Sequence, residues 1–204
     1  MDEAVRKVIS EYEPRLAAET ELMQSIDASQ MRARRDEFLL PIGPDTAQVL
    51  HTLIKSAKSR SILELGTSYG YSTLWLADAA RDTNGKVVSL ELSAAKAQHA
   101  RAALARAGVA DRVDIQVGNA LETLPRLTGP FDFVLIDLWK DLYVSCLDLV
   151  YPKLAPGAFV VADNMIYPEA VRADAARYQR RIRELDFETV SLPIGSGIEL
   201  SCRK

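Results

Sequence analysis

Histidine and cysteine are nearly missing from this chain of 204 residues, which holds only His51, His99, Cys146 and Cys202. The cysteines lie far apart and without metal-ligand spacing, so a zinc site is not expected. Also missing is any apolar run long enough to span a bilayer or to serve as a secretory leader, which leaves the cytoplasm as the expected location and no membrane as a partner. A basic excess is absent too. With a net charge of −3 the chain carries no large positive surface to offset nucleic-acid phosphates, so small molecules become the expected substrates. Glycine and proline are sparse, at 10 and 9, and no low-complexity linker divides the sequence, so one domain over 1–204 is expected. His51 and His99 fall in helical stretches and read as ordinary helix or surface residues. Cys146, inside the apolar pattern from Leu142 to Leu147, reads as a buried, inert thiol.

What is present has a clear order. Residues 1–60 form a helical lead-in, with apolar positions at helical spacing through Val5, Val8, Ile9, Leu16 and Leu22 and breaks at Pro14 and at Pro41 to Pro44. Asp45 suits an N-cap, and the run Thr46 to Ser59 after it carries Val49, Leu50, Leu53 and Ile54 on one face. From residue 61 to 204 strands and helices alternate. Strands are expected at Ile62–Leu65, Lys86–Leu90, Arg112–Val117, Phe131–Ile136 and Ala158–Ala162, and helices at about Tyr71–Arg81, Ala94–Ala107, Leu121–Leu127, Leu142–Tyr151 and Glu169–Glu184. Runs such as Phe133-Val134-Leu135-Ile136 lack alternation, as strands buried on both faces of a parallel sheet do. The fold class is therefore α/β, doubly wound and Rossmann-like. Two last segments, Phe187–Leu192 and Gly197–Arg203, joined by a Gly-bearing connection, should form an antiparallel C-terminal hairpin at one edge.

The first strand leads into a Gly66-x-x-x-Gly70 turn that opens a helix, where glycine permits close backbone approach. The middle glycine of the dinucleotide fingerprint is missing, so a pyrophosphate cradle is poorly supported. Glu91, at the end of the next strand, is placed to accept hydrogen bonds from ribose hydroxyls, so adenosine binding remains. At the other end of the rim, Asp137 follows the fourth strand and Asp163-Asn164 follow the fifth. Neighbouring parallel strands end side by side about 4.8 Å apart. Two carboxylates and an amide oxygen without His or Cys suit a hard cation such as Mg²⁺ or Mn²⁺. Taken singly, each strand-end acid could equally cap the helix that follows it.

The segment Ile62-Leu63-Glu64-Leu65-Gly66 through Tyr71-Ser72, with Glu91 after it, resembles the first two motifs of class I S-adenosylmethionine-dependent methyltransferases. Gly118-Asn119-Ala120 sits where that family contacts adenine. Asp137-Leu138-Trp139-Lys140-Asp141-Leu142-Tyr143 resembles the Asp-His-Trp-Lys-Asp-Arg-Tyr segment of catechol O-methyltransferases, and Asp163-Asn164-Met165-Ile166-Tyr167-Pro168 resembles their Asp-Asn-Val-Ile-Cys-Pro. The resemblance runs from about Phe38 to Arg203. It implies S-adenosylmethionine held by Ile42, Glu64, Gly66, Thr67, Ser68, Tyr71, Ser72, Glu91, Leu92, Gly118, Asn119, Ala120, Asp137 and Trp139. It further implies Mg²⁺, or Mn²⁺ or Ca²⁺ in its place, on Asp137, Asp163 and Asn164, and Lys140 as the base. A small aromatic diol would be walled by Phe38, Trp139 and Pro168 and oriented by Lys140, Asn164 and Glu199, the last from Gly197-Ile198-Glu199, which resembles the family's Gly-Leu-Glu. Three departures affect the cofactor contacts: Leu138 replaces a histidine, Ser68 a tyrosine, and Leu40-Pro41-Ile42-Gly43 the family's Met-Asn-Val-Gly.

Two alternatives stand beside this one. The related caffeoyl-coenzyme A enzymes share the metal triad, but their Asp-Ala-Asp-Lys segment is less like Asp137-Leu138-Trp139-Lys140; a non-catalytic cofactor-binding module is opposed by the intact Lys140 and acid set. The arginines Arg177, Arg180, Arg181 and Arg183 read as a solvated helix face, with a coenzyme A phosphate as their alternative partner. A homodimer is left open.

Overall fold

The computed structural model describes residues 1–34 and 37–204. The strands are β1 (Ser61–Leu65), β2 (Lys86–Glu91), β3 (Val113–Val117), β4 (Phe131–Ile136), β5 (Leu154–Ala162), β6 (Phe187–Leu192) and β7 (Ile198–Arg203). They form one seven-stranded sheet in the order β3-β2-β1-β4-β5-β7-β6, in which β7 runs antiparallel to both β5 and β6 and the other pairs are parallel. The doubly wound α/β fold with its antiparallel C-terminal hairpin is thus present.

Alternating side chains serve two cores. Ile62, Val87, Phe133, Leu135 and Val161 face α1 (Glu3–Ser10), α4 (Pro44–Ala57), α5 (Tyr71–Thr83) and α6 (Ala94–Arg106). Leu63, Leu65, Val134, Ile136 and Val160 face α8 (Tyr143–Val150) and α9 (Arg172–Glu184) on the other side. This is why the strands read as unbroken apolar runs. The lead-in also contains α2 (Glu13–Ser25) and α3 (Ala28–Ala33), and α2 carries Pro14 in its first turn. Among the described residues no helix is long and apolar enough to cross a membrane.

Several boundaries differ from expectation for local reasons. The helix expected after Asp45 begins at Pro44 with Gly43 as its N-cap, because a proline at the first helical position already has a helical φ and needs no N–H partner; Asp45 sits in the first turn instead. Pro125 divides the stretch Leu121–Leu127 into α7 (Ala120–Thr123) and a short 3₁₀ turn. Strand β5 starts four residues before Ala158, and the register against β4 shifts between Phe131 and Phe133, beside the Pro156-Gly157 pair at which the sequence pattern stops.

His51 is not an ordinary surface residue. It is buried on α4, and its Nε2 lies 2.8 Å from Asp78 Oδ2 on α5, while Asp78 also accepts from Arg81 Nη2 at 2.6 Å and from the Asp2 N–H at 3.1 Å. Burial alone would raise the Asp78 carboxyl, but these hydrogen bonds and the charges of His51 and Arg81 outweigh it and hold the carboxyl below its ordinary value. Its contribution to stability is therefore complete above the ordinary carboxylate value of about 3.9 and is lost as pH falls through the lower folded one. Asp78→Ala is expected to destabilise the fold by about 3 kcal/mol, since it leaves buried partners unpaired. Calorimetric melting at pH 7 checks this, and an unchanged melting temperature would show that α1 and α4 dock without the pair. His99 is exposed and stands edge-on to Tyr69, with ring centroids 5.1 Å apart. Cys146 is fully buried, and burial pushes its thiol up to about 12, as an inert core cysteine requires.

Candidate active site

The strand order reverses between β1 and β4, so the loops leaving these two strands open a crevice at the sheet's C-terminal rim. Hydrogen bonds between successive strand ends line up the residues there. The Asp137 N–H donates to Leu65 O at 2.9 Å, and the Asp163 N–H donates to Ile136 O at 3.1 Å. Gly66, Asp137 and Asp163 thereby stand in one row. A Cβ on Gly66, whose φ is +107°, would lie 1.9 Å from the Asp137 carbonyl oxygen, so only glycine fits where the first turn passes the fourth strand.

Around the first turn the backbone is committed to acids. Glu91 accepts the Ser68 N–H at 2.7 Å and the Ser93 N–H at 2.8 Å, one on each carboxylate oxygen. This fixes the carboxylate at the rim, each oxygen with a lone pair to spare. Beneath it, fully buried Glu64 accepts from the hydroxyls of Ser72, Thr73 and Ser89 at 2.6, 2.6 and 2.5 Å. Burial pushes its carboxyl up to about 7 against the pull of those hydroxyls, with the Asp137 charge adding to the rise. Thr67 is buried beside Ser89, with their hydroxyls 2.5 Å apart. Gly118 donates its N–H to Glu91 O at 2.8 Å, and Asn119 caps α7 through Leu121 N, with Ala120 as the first residue of that helix. Leu92 and Val117, at the ends of β2 and β3, expose apolar side chains along this edge. Leu92 belongs to the motif, but Val117 had no motif to mark it.

At the other end, Asp163 is 1 % exposed and its Oδ1 has no hydrogen-bond partner. Burial, and then the charge of Asp137, push its carboxyl up to about 8, against the opposing effects of Lys140 and the Asn164 N–H. Asp137 is also raised by burial, with Lys140 opposing; Lys140 is lowered by burial, with both carboxylates opposing. Lys140 Nζ lies 3.6 Å from Asp137 Oδ1, donates to Leu138 O at 3.1 Å and makes a short hydrogen bond to the Tyr143 hydroxyl. Two crowded carboxylates therefore share one ammonium. Asn164 follows directly in the left-handed region, at φ +54°. Among the described residues no group of three or more His, Cys, Asp or Glu side chains could hold a metal ion; the set here is two carboxylates and one amide.

Trp139 is partly exposed beside Lys140, and Pro168 is exposed, preceded by Ile166 and Tyr167, which is 63 % exposed. Other expected residues are covered by the fold. Phe38, Ile42 and Tyr71 are buried; the Phe38 carbonyl accepts Lys96 Nζ at 3.1 Å, and the neighbouring Leu39 carbonyl accepts the Ser68 hydroxyl at 2.6 Å. Glu199 is not brought to the acid pair. Pairing with Ala162 on β5 turns its side chain under α9, where it is 0 % exposed and accepts from Gln179, Arg183, Thr189 and Ser191. Of the α9 arginines, Arg177 pairs with Asp174, Arg181 with Asp148 and Glu184, and Arg183 with Glu199, while Arg180 is exposed, which makes this mainly a solvated and locally paired helix face.

A sequence model described as O-methyltransferase matches residues 14–204. The chain belongs to this O-methyltransferase family. Within it, the chain is 40 % identical over 137 residues to a catechol O-methyltransferase of Mycobacterium tuberculosis, covering 67 % of this chain and 62 % of that protein. Caffeoyl-CoA O-methyltransferase 1 of Eucalyptus globulus is 28 % identical over 86 % of this chain and 79 % of its own length. The chain spans about three-fifths of the length of the curated catechol O-methyltransferases it matches. Among solved structures, the O-methyltransferase TomG of Streptomyces achromogenes, in complex with SAM, superimposes with a TM-score of 0.78 at 28 % identity, covering 100 % of this chain and 91 % of that one.

Three residues that contact the candidate site had no assigned role in the sequence: Lys96, Leu39 and Tyr143. Lys96 and Leu39 meet Ser68 from 28 and 29 residues away, a distance over which helical spacing carries no signal. Tyr143 lies inside the Asp137 motif, which was the available clue.

Proposed function

We propose that this chain transfers a methyl group from S-adenosylmethionine to a hydroxyl of a catechol-type small aromatic, with a divalent cation on Asp137, Asp163 and Asn164. The observation that carries the reading is the acid pair on adjacent strand ends beside the first turn, with one buried carboxylate oxygen, Asp163 Oδ1, left without a partner. An orphaned oxygen in a crowded pair of raised carboxyls fits a hard cation, and the neighbouring amide of Asn164 completes an all-oxygen set. The cofactor supplies the electrophilic methyl, and the cation, when bound, favours the deprotonated form of an acceptor hydroxyl.

The chain's own residues supply the rest. Glu91 is fixed for the ribose, and Leu92 and Val117 offer an apolar edge to the adenine. Lys140 Nζ, lowered by burial, is the group that takes the acceptor's proton. Trp139, Ile166 and Tyr167 present apolar surface to a flat ring. Trp139 favours a catechol-type acceptor over a caffeoyl-coenzyme A type, as does the local pairing of Arg177, Arg181 and Arg183.

The test is incubation with labelled S-adenosylmethionine, Mg²⁺ and a panel of vicinal diphenols and caffeoyl-coenzyme A, with and without chelator. Transfer to diphenols that stops with chelator is expected; transfer that ignores the chelator would sink the metal, and transfer to the thioester alone would move the acceptor class. Lys140→Ala should bind S-adenosylhomocysteine normally by calorimetry yet lose about a hundredfold or more in rate. Loss of binding instead would reassign Lys140 to structure.

A further inference from the structure

We infer that Tyr143 is a positioning residue for this transfer, its hydroxyl holding the Lys140 ammonium beside Asp137 while clamping the Asp163 peptide. The inference rests on the reading of Lys140 as the base. Tyr143 opens α8 and is fully buried. Its hydroxyl accepts from Lys140 Nζ and donates to Asp163 O at 3.2 Å, so both of its polar capacities go to the two acid-bearing loops. Lys140 Nζ also stands 4.3 Å above the centre of the same ring. The ring is held in turn by Tyr178, edge-on with centroids 5.6 Å apart and planes at 75°.

The alternative is that Tyr143 is simply a core residue. Its apolar surroundings, which include Cys146, Leu147 and Ile182, would accept a phenylalanine equally well. The hydroxyl alone has no packing role, and both of its partners belong to the candidate site. Lysine has four rotatable carbons and three donors, and an ammonium tied only to Leu138 O and Asp137 would keep several rotamers. The Tyr143 hydroxyl selects one. It also makes the positions of Lys140, from the β4 loop, and Asp163, from the end of β5, depend on each other. The phenol proton stays on Tyr143, committed to the Asp163 carbonyl, so no proton passes through it.

Tyr143→Phe keeps the ring and removes the hydroxyl, and two readouts decide. The first needs no activity. Acylation of lysines followed by mass spectrometry should label Lys140 about tenfold faster, relative to exposed Lys58, than in the wild type, as expected on losing a buried hydrogen bond to a charged group, with S-adenosylhomocysteine affinity unchanged and the melting temperature lowered by no more than about 5 °C. An unchanged ratio overturns the inference, as does faster labelling of lysines throughout the protein with a larger fall in melting temperature, which would assign the hydroxyl to stability. The second uses caffeic acid as acceptor with Mg²⁺. kcat should fall about tenfold to a hundredfold with KM for S-adenosylmethionine unchanged, and the substitution should add less than about twofold in a Lys140→Met background. An equal, additive fall in that background overturns it. A wild-type protein that methylates no diphenol defeats the acceptor reading, and the labelling ratio still decides whether Tyr143 holds Lys140.

Discussion

Asp163→Ala is expected to cost about a thousandfold in methyl transfer while leaving the fold intact, because Asp163 is a proposed ligand of the catalytic cation and the residue contributes little to stability. Asp163 is 1 % exposed, lies beside a second carboxylate and has an unpartnered oxygen, which is an unfavourable way to keep a carboxylate inside a protein. A folded carboxyl raised to about 8 binds its proton more tightly than the same group in the unfolded chain. The native state then holds more protons between the ordinary carboxylate value of about 3.9 and the folded one, and stability falls as pH rises through that window. The isosteric Asp163→Asn removes this pH dependence. In chelator its melting temperature should exceed the wild type's by a margin that widens from pH 5 to pH 8, and added Mg²⁺ should raise the wild type's melting temperature but not the variant's. A capping aspartate gives a different pattern. Asparagine caps as well as aspartate, so the variant's stability would stay close to the wild type's with no margin that widens with pH, and the transfer rate would be close to that of the wild type.

How much of this could be read from the sequence depends on the range of the forces involved. The strands and their rim follow from contacts the chain makes everywhere: Phe133-Val134-Leu135-Ile136 must be covered on both faces, and a parallel strand must deliver Asp137 to the same rim as Gly66. Side-chain partners depend on which element happens to lie across. Glu199 is expected from its motif to orient a substrate, yet Gln179 and Arg183 of α9 and Thr189 and Ser191 of β6 surround its carboxylate here, and nothing near Glu199 in the sequence announces them. His51 is a similar case. On helical spacing alone it is an ordinary residue of α4, and its burial follows from Asp78, 27 residues away on α5. Phe38 and Ile42, expected near the ligands, are buried because the segment preceding α4 is tied down by Lys96 and Ser68. Motif resemblance located the rim; the direction of each side chain on it came from tertiary packing.

Gly66→Ala should have the second large effect, about a hundredfold or more in affinity for S-adenosylhomocysteine by calorimetry, with transfer falling in parallel. Two penalties coincide at this position. The backbone at φ +107° is one that a residue with a Cβ rarely adopts, and the added methyl would stand 1.9 Å from the Asp137 carbonyl oxygen and 2.8 Å from its carbon. Neither contact is with a flexible side chain that could swing aside. Either the first turn lifts, carrying Ser68 away from Glu91, or the Asp137 peptide retreats and strains the hydrogen bond from its N–H to Leu65 O. Both routes damage the rim, the first at Glu91 and the second at the acid pair. Gly108→Ala separates this from backbone strain alone, since Gly108 is at φ +68° with nothing within 4 Å of the position its Cβ would take. That variant should lose about 1 kcal/mol of stability and keep full affinity. Equal affinities for the two variants would show that the close passage of β1's turn over Asp137 is not what shapes the crevice proposed for the cofactor. A Gly66→Ala protein that binds normally but no longer transfers would show that the peptide gives way on the Asp137 side, which ties the geometry of the acid pair to a single glycine 71 residues earlier in the chain.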